Sequence, residues 1–200
     1  MIADVPGPWF HPTADVEPGA HVGSGSRIWD LAKVRSGARI GAECTIGRLA
    51  YVDDQVTIGD RCKVQNNALL YGPATLGDGV FVGPAVVLTN DRHPRAVSPD
   101  GSLVRADHWT RLGVTVGDGA ALGAGSVVVS GMSIGAWALV AAGAVVASDV
   151  AAHELVAGVP AARIGWVSQR GHRLVETGDI WTCPVSGAEY DMIDGVMRQR

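Results

Sequence analysis

Aliphatic residues return at every sixth position along most of this chain. Stepping by six from Val16 gives Val22, Ile28, Val34, Ile40, Ile46, Val52, Ile58, Val64, Leu70, Leu76, Val82 and Leu88, thirteen without a break. The period resumes in a new phase at Val116, Leu122, Val128, Ile134, Val140 and Val146. Chance does not place nineteen aliphatic residues on one lattice, so the pattern is an internal repeat. The slot two residues ahead of each aliphatic is small or compact: Ala20, Ser26, Ala32, Ala38 and Cys44 early, Val114, Ala120 and Ser126 later. Such side chains share a crowded interior with the larger one. Glycine often follows the aliphatic residue, as at Gly41, Gly47, Gly59, Gly77, Gly83, Gly117, Gly123 and Gly135. The expectation is that it serves a tight corner by accepting positive φ.

Composition agrees with a narrow core. The chain has 200 residues, of which 47% are hydrophobic but only 6% aromatic, with 27 Gly. One domain, or one with a small appendage, is expected. The net charge of −4 and the lack of a Lys/Arg run argue against nucleic acid as a partner. The start, MIADVPGPWFHP, has no basic segment leading into an apolar one, so no signal peptide is expected. The longest apolar run, Ala136 to Ala147, is too short to span a bilayer, which takes roughly 20 residues. Three Cys without close pairing fit a reducing compartment, and the expected location is the cytoplasm.

One interruption breaks the lattice. From Leu88 to Val116 is 28 residues where six would continue the period, so about 22 are inserted. The insertion holds Asn90, Asp91, Arg92, His93, Arg95, Asp100, Arg105, Asp107, His108 and Arg111. Long segments without periodicity of their own are usually functional or disordered, and a dense polar loop on a rigid scaffold is where chemistry is expected.

The hexad pattern resembles the hexapeptide-repeat proteins that fold as left-handed parallel β-helices. That resemblance implies an all-β fold in which three hexads form one triangular coil of 18 residues, here a little over six coils. The implied division is a lead-in over 1–15, the helix over 16–167 with its inserted loop at about 89–111, and a short C-terminal extension over 168–200. Cys44 and Cys62, 18 residues apart, would stack on successive coils as two buried thiols rather than as a disulfide.

A closer resemblance lies in the segments SRIWDLAKV, YVDDQVTIGDRCKVQNNALLYGPA, VFVGPAVVLTNDRHPRA and VAGVPAARIGWV. These are similar to N-acetyltransferases that use acetyl-CoA to modify the 3-amino group of nucleotide-linked sugars, UDP or dTDP. The resemblance implies direct attack of the sugar amine on the thioester, within a homotrimer whose sites lie between neighbours, in the service of a surface glycan. It gives Asn90 the sugar amine or a neighbouring hydroxyl, and it places Asn66 and Asn67 at the substrate. Their bland readings are a loop residue that tolerates left-handed backbone, and an asparagine ladder. His93 is the candidate general base, an imidazole being the side chain suited to proton transfer near neutral pH, with a solvated loop histidine as its alternative and the CoA thiolate as a substitute proton acceptor. Arg95 would contact a sugar carboxylate or a phosphate, or form a surface salt bridge. Acetyl-CoA would run past Gly125, Ala142 and Gly143 and reach a phosphate contact at Arg163, all four otherwise ordinary corner or surface residues. Trp29 would pack between subunits or stack on a base. Where relatives carry a histidine soon after Ile-Trp, this chain has Asp30, which leaves the sugar open.

Three alternatives remain at this level. An O-acetyltransferase or other acyltransferase would share the fold. A metal enzyme like the hexapeptide-repeat carbonic anhydrases would need three His across an interface, but none occurs between residues 109 and 152. A non-catalytic β-helix scaffold would have no use for the polar insertion. No metal is expected; WTCPVSGAEY resembles half of a zinc ribbon, but structural zinc takes four ligands. The C-terminal tail is expected to form a small hairpin.

Overall fold

A computed structural model describes residues 7–200. Two-residue strands follow one another around three faces. The series begins with Trp9–Phe10, Asp15–Val16 and His21–Val22 and continues at six-residue intervals. Before the insertion each strand pairs in parallel with the one 18 positions later, as Arg27 with Thr45, Lys33 with Tyr51 and Arg39 with Thr57; across the insertion the step is 40, as Phe81 with Ala121. The first face stacks eight parallel strands, the second seven and the third six. This is the left-handed parallel β-helix that the repeat predicts.

The helix is longer at both ends than the aliphatic lattice alone suggests. Residues 1–6 of the expected lead-in lie outside the described residues, but Trp9–Phe10 already pairs with Arg27–Ile28. Phe10 sits six residues before Val16, so the lattice extends there with an aromatic residue. At the far end Val156 pairs with Val140 although ten residues separate Val146 from Val156, so the last strand is off the six-residue step.

Why the hexads coil is visible in the core. Ile28, Ile46, Val64, Val82, Leu122 and Val140 stack down the first face, each at most 1% exposed. Burial of each such side chain contributes about 1.5–3 kcal/mol. The small slots, Ala32, Ala38, Cys44, Ala50 and Cys62 among them, fill the space between the stacks and are equally buried. Cys44 and Cys62 are free thiols; Cys44 Sγ donates to Gly59 O at 3.1 Å and accepts from the Cys62 amide at 3.4 Å.

The glycines after the aliphatic residues serve a different purpose from the one expected. None of the eight has positive φ; that conformation falls two residues further on, at Glu43, Leu49, Arg61, Ala85 and Trp137, with φ from +55° to +60°, and at Gly79, Gly119 and Gly125. A non-glycine residue there costs roughly 1–2 kcal/mol, which stacking of the coils offsets. The glycines are required by close approach instead. A Cβ on Gly59 would stand 2.7 Å from the Gly77 carbonyl carbon, and one on Gly83 would stand 2.7 Å from the Ala124 nitrogen. The coils are simply too close together for a side chain at that slot.

The C-terminal extension is more than a hairpin. Val175–Thr177, Ile180–Thr182, Glu189–Ile193 and Val196–Gln199 form a four-stranded antiparallel sheet. Trp166, Leu174, Cys183, Tyr190 and Met197 give it a core of its own. The additional turn is Asp194-Gly195, both residues at positive φ as a tight hairpin turn requires. His153, 6% exposed, joins this sheet to the helix: Nδ1 lies 2.9 Å from the Val167 carbonyl oxygen, and the ring meets Tyr190 edge to face at 5.2 Å.

Candidate active site

The predicted site residues fall on the two borders of the second face. At the border with the third face, Asp54, Gly72 and Asn90 occupy successive coils, 18 residues apart. Asn90 Nδ2 donates to the Gly72 carbonyl at 2.8 Å, which leaves Oδ1 as the group free to accept. The Gly72 peptide is held in turn, its N–H donating to Asp53 Oδ2 at 3.3 Å. Asp53 Oδ1 accepts from Tyr51 Oη at 2.8 Å and from Arg35 Nη1 at 3.1 Å. Burial pushes the Asp53 carboxyl up. Hydrogen bonds from Tyr51 and from the Asp54 and Gly72 amides outweigh it, so the group lies below the usual carboxylate range and is ionised at neutral pH. Asn90 is therefore the outer, half-buried end of a polar chain that runs into the coils and stops at a carboxylate only 5% exposed.

The insertion leaves the helix here through a closed neck. Leu112 N donates to Asn90 O at 3.0 Å, and Ser130 Oγ donates to Leu112 O at 2.9 Å. Ser130 N donates to Thr89 Oγ1 at 2.8 Å, Arg92 Nη1 reaches Ser130 O at 3.2 Å, and Arg111 Nη1 holds both Asp54 oxygens at 2.9 and 3.1 Å. Beyond the neck the loop is a short hairpin, with Val97 bridging Leu103. Its tip is exposed. The His93 amide donates to Asp91 Oδ1 at 2.8 Å, but its imidazole forms no hydrogen bond among the described residues. Arg95 Nη1 donates to the Pro94 carbonyl at 2.7 Å.

At the other border, between first and second faces, Arg48-Leu49, Asn66-Asn67, Pro84-Ala85, Ala124-Gly125 and Ala142-Gly143 form one column of corners. Asn66 Oδ1 accepts from the Arg48 amide at 2.9 Å, so its carbonyl serves as a rung of the corner ladder. Asp60, Asp78 and Asp118 do the same at the corners after the third face. Asn67, at φ +60°, is a turn residue whose N–H donates to Arg48 O at 2.9 Å. Further along, the column changes character. Pro84, Ala124 and Ala142 have no side-chain acceptor to cap the corner above, and the Ala124 and Ala142 amides form no hydrogen bond among the described residues. Gly125 and Gly143 have φ of +66° and +70°, and a Cβ on either would meet open space. Ala142 also lines a shallow apolar cleft of about 300 Å³ with Phe81, Ala121 and Leu139. This is an exposed edge with unpaired backbone donors among the described residues, and an extended chain with amide carbonyls could lie along it.

Arg163 pairs across from Val156, which itself pairs with Val140; its exposed guanidinium stacks over Trp166 at 5.0 Å and lies 3.9 Å from Glu154. Within one chain the structure thus separates Asn90, His93 and Arg95 from Asn66, Asn67, Gly125, Ala142 and Gly143. Reasoning from sequence missed Asp53, Tyr51, Arg35 and the Gly72 carbonyl. A step of 18 back from Asn90 would have found Gly72 and Asp54, because that step connects the same corner on neighbouring coils. No group of three or more His, Cys, Asp or Glu suited to a metal occurs among the described residues.

Comparison with known proteins agrees with this architecture. The family profile described as bacterial transferase hexapeptide (six repeats) matches residues 37–72 and 55–90, and that of the hexapeptide repeat of succinyl-transferase matches 113–148. Over those residues the chain carries repeats of the kind these two profiles describe. Among solved structures, a variant of GDP-perosamine N-acetyl transferase from Caulobacter crescentus, in complex with CoA and GDP-perosamine, is 28% identical at a TM-score of 0.50. The match covers 80% of this chain and 58% of that one, so this chain spans little more than half of that protein's length. A hexapeptide transferase family protein from Anaplasma phagocytophilum is 17% identical over 84% of this chain and 87% of that one, with a TM-score of 0.56. A maltose O-acetyltransferase from Clostridium difficile 630 is 20% identical over 62% and 67%, with a TM-score of 0.54. These last two speak to the fold alone. Comparison with curated protein sequences finds no match.

Proposed function

We propose that the protein is an acetyl-CoA-dependent acyltransferase, and more narrowly an N-acetyltransferase acting on an amino sugar carried by a nucleotide. The observation that carries this reading is the arrangement of the second face. One border presents a fixed amide acceptor at the neck of a polar insertion; the other presents an open edge of small residues and of amides left unpaired among the described residues. The Caulobacter protein, described with CoA and a nucleotide-linked amino sugar, supports the same reading.

The two borders are brought together by a second copy. Between them, Tyr51, Leu69, Val87, Val127 and Val145 stand outward in register, an apolar column left half-buried in the single chain. Covering that column in a closed ring sets one copy's insertion against the next copy's open edge. Such a head-to-tail contact closes as a ring, and the reading takes that ring to be a homotrimer in the cytoplasm.

Each residue then has a defined task. Asn90 Oδ1 accepts a hydrogen bond from the sugar amine and aligns its lone pair on the thioester carbonyl, and such alignment supplies much of the acceleration in transfers of this kind. The open-edge amides hold the extended arm of acetyl-CoA. The amine nitrogen forms the new bond to the acyl carbon, the carbon–sulfur bond breaks, and CoA leaves as a thiolate. His93 takes the proton that the nitrogen sheds.

The test is thiol release from acetyl-CoA by purified protein with a panel of amino-sugar nucleotides: UDP-linked 3-amino uronic acids, dTDP-linked 3-amino-6-deoxyhexoses and a GDP-linked 4-amino sugar. Turnover on one class supports the reading and fixes the acceptor. Acetyl-CoA binding without turnover on any of them overturns the amino-sugar acceptor, and absence of acetyl-CoA binding overturns the acyltransferase.

A further inference from the structure

The N-terminal coils carry a second cleft system that the transfer chemistry does not use. On the first face, Trp9, Arg27, Thr45, Lys63 and Phe81 stand outward on successive strands in register. Trp9 and Trp29 meet edge to face at 5.4 Å, yet both keep large exposed areas, 44% and 39%. Trp29 divides two clefts. One, of about 350 Å³, is lined by Trp9, Ser26 and Arg27; the other, of about 280 Å³, by Asp30, Thr45, Arg48, Gln65 and Asn66, with the Asp30 carboxylate neutralised by Arg48 at 2.9 Å.

Charge adds to this surface. Arg27 and Lys63, like Arg39 on the third face, form no ion pair among the described residues, but only these two share a face with the exposed indoles. The two lie two strands apart, about 10 Å at the ordinary spacing. Two open cations beside two exposed indoles, on a chain of net charge −4, match a ligand with a flat aromatic ring at one end and two negative charges nearby.

We propose that this cleft binds the nucleoside diphosphate part of the sugar nucleotide. The base stacks against Trp29, with Trp9 bracing that indole, and the diphosphate lies from Arg27 in the first cleft toward Lys63 on the strand beyond Thr45, with the Thr45 hydroxyl and Gln65 amide in the second cleft. Asn66 lines the second cleft and begins the open edge, so the sugar leaves the phosphates toward the border where the neighbouring copy brings Asn90. The proposal rests on the nucleotide-linked acceptor of the preceding section. It also gives Trp29 the base-stacking role instead of a purely packing one.

The experiment titrates the full chain with UDP, dTDP and GDP, without sugar, by indole fluorescence and calorimetry, and measures acetyl-CoA binding separately. One nucleotide is expected to bind and quench. Arg27→Gln and Lys63→Gln should each weaken it about 10-fold or more, as loss of a charge-assisted hydrogen bond does. Trp29→Leu should weaken it by a similar factor, while Trp29→Phe restores most of the affinity. The sugar-nucleotide KM should rise in parallel, with kcat and acetyl-CoA affinity changed less than about 3-fold. Nucleotide binding or KM indifferent to all these substitutions overturns the subsite, even where turnover stands. No binding of any of the three nucleotides, with acetyl-CoA still bound, overturns it as well. Loss of acetyl-CoA binding in the unaltered chain instead strikes the acyltransferase reading, which the nucleotide titration does not touch.

Discussion

The two borders of the second face are built on the same coils and differ in almost everything else. At one, charged and amide side chains are tied together through Asp53, Gly72, Asn90, Asp54 and Arg111. At the other, beyond Asn66, there is little except backbone: Pro84-Ala85, Ala124-Gly125 and Ala142-Gly143. A repeating scaffold offers the same geometry at every corner, so what distinguishes one corner from another is only what its side chains add or leave out. The insertion adds acceptors and cations to one border. The open edge is made by omission, since removal of the capping side chain frees the amide that it would have satisfied.

This contrast predicts different losses at the two borders. The largest belongs to Asn90→Ala, which removes the acceptor that aligns the amine; kcat/KM should fall about 10²–10³-fold with acetyl-CoA affinity unchanged. His93→Asn should lower kcat by about 10²-fold. A loss smaller than about 3-fold would move the proton to the CoA thiolate. At the opposite border, Ala142→Trp fills the edge without touching the core, and should weaken acetyl-CoA binding by about 10-fold, the scale of a displaced contact worth 1.4 kcal/mol. That variant should leave nucleotide binding intact. If Asn90→Ala and Ala142→Trp gave the same pattern of KM changes, the division of labour between borders would fail.

Two smaller effects probe the scaffold that both borders share. Asp53→Asn keeps the shape but removes the charge that holds the Gly72 peptide and the Arg35 side chain. It should lower kcat/KM about 10-fold through Asn90, leave acetyl-CoA binding unchanged, and be rescued by Asp53→Glu more than by Asp53→Ala. The second concerns His153, whose burial pushes its pKa below the ordinary value, partly countered by the Val167 carbonyl. The folded state therefore favours the neutral ring. Its contribution is fully present above about pH 6.5 and is lost as pH falls through that value toward the lower folded one. Thermal unfolding should show stability falling as pH drops from 7 to 5, and His153→Phe should flatten that dependence.

Much of the fold was legible from residues alone. Val16 to Leu88 and Val116 to Val146 fall on the core as the six-residue step requires, and the insertion projects from the corner where the step breaks. Phe10 escaped because only aliphatic residues were followed, and the extra strands near Asp194-Gly195 because a turn signal was passed over. The glycines after the aliphatic residues were correctly marked as special, but for the wrong reason. Their φ is ordinary; the next coil occupies the space a Cβ would need. That neighbour is 18 residues away and invisible to any local rule.

The site was legible in a more limited sense. Its residue types stood out, since Asn90 and the polar loop interrupt an apolar lattice. Their partners did not: Asp53 reaches Asn90 only through the Gly72 peptide, and Asn66 shares an edge with Gly143 only because the coils stack in register. The periodicity of the chain by itself determined that it would wind into stacked coils, because each hexad must bury one aliphatic side chain and offers only a narrow slot for it. Which side chains meet across coils, which amides remain open and which border faces outward were decided by the tertiary structure. Those depend on contacts 18 or more residues apart, and on a face whose apolar column one chain cannot cover.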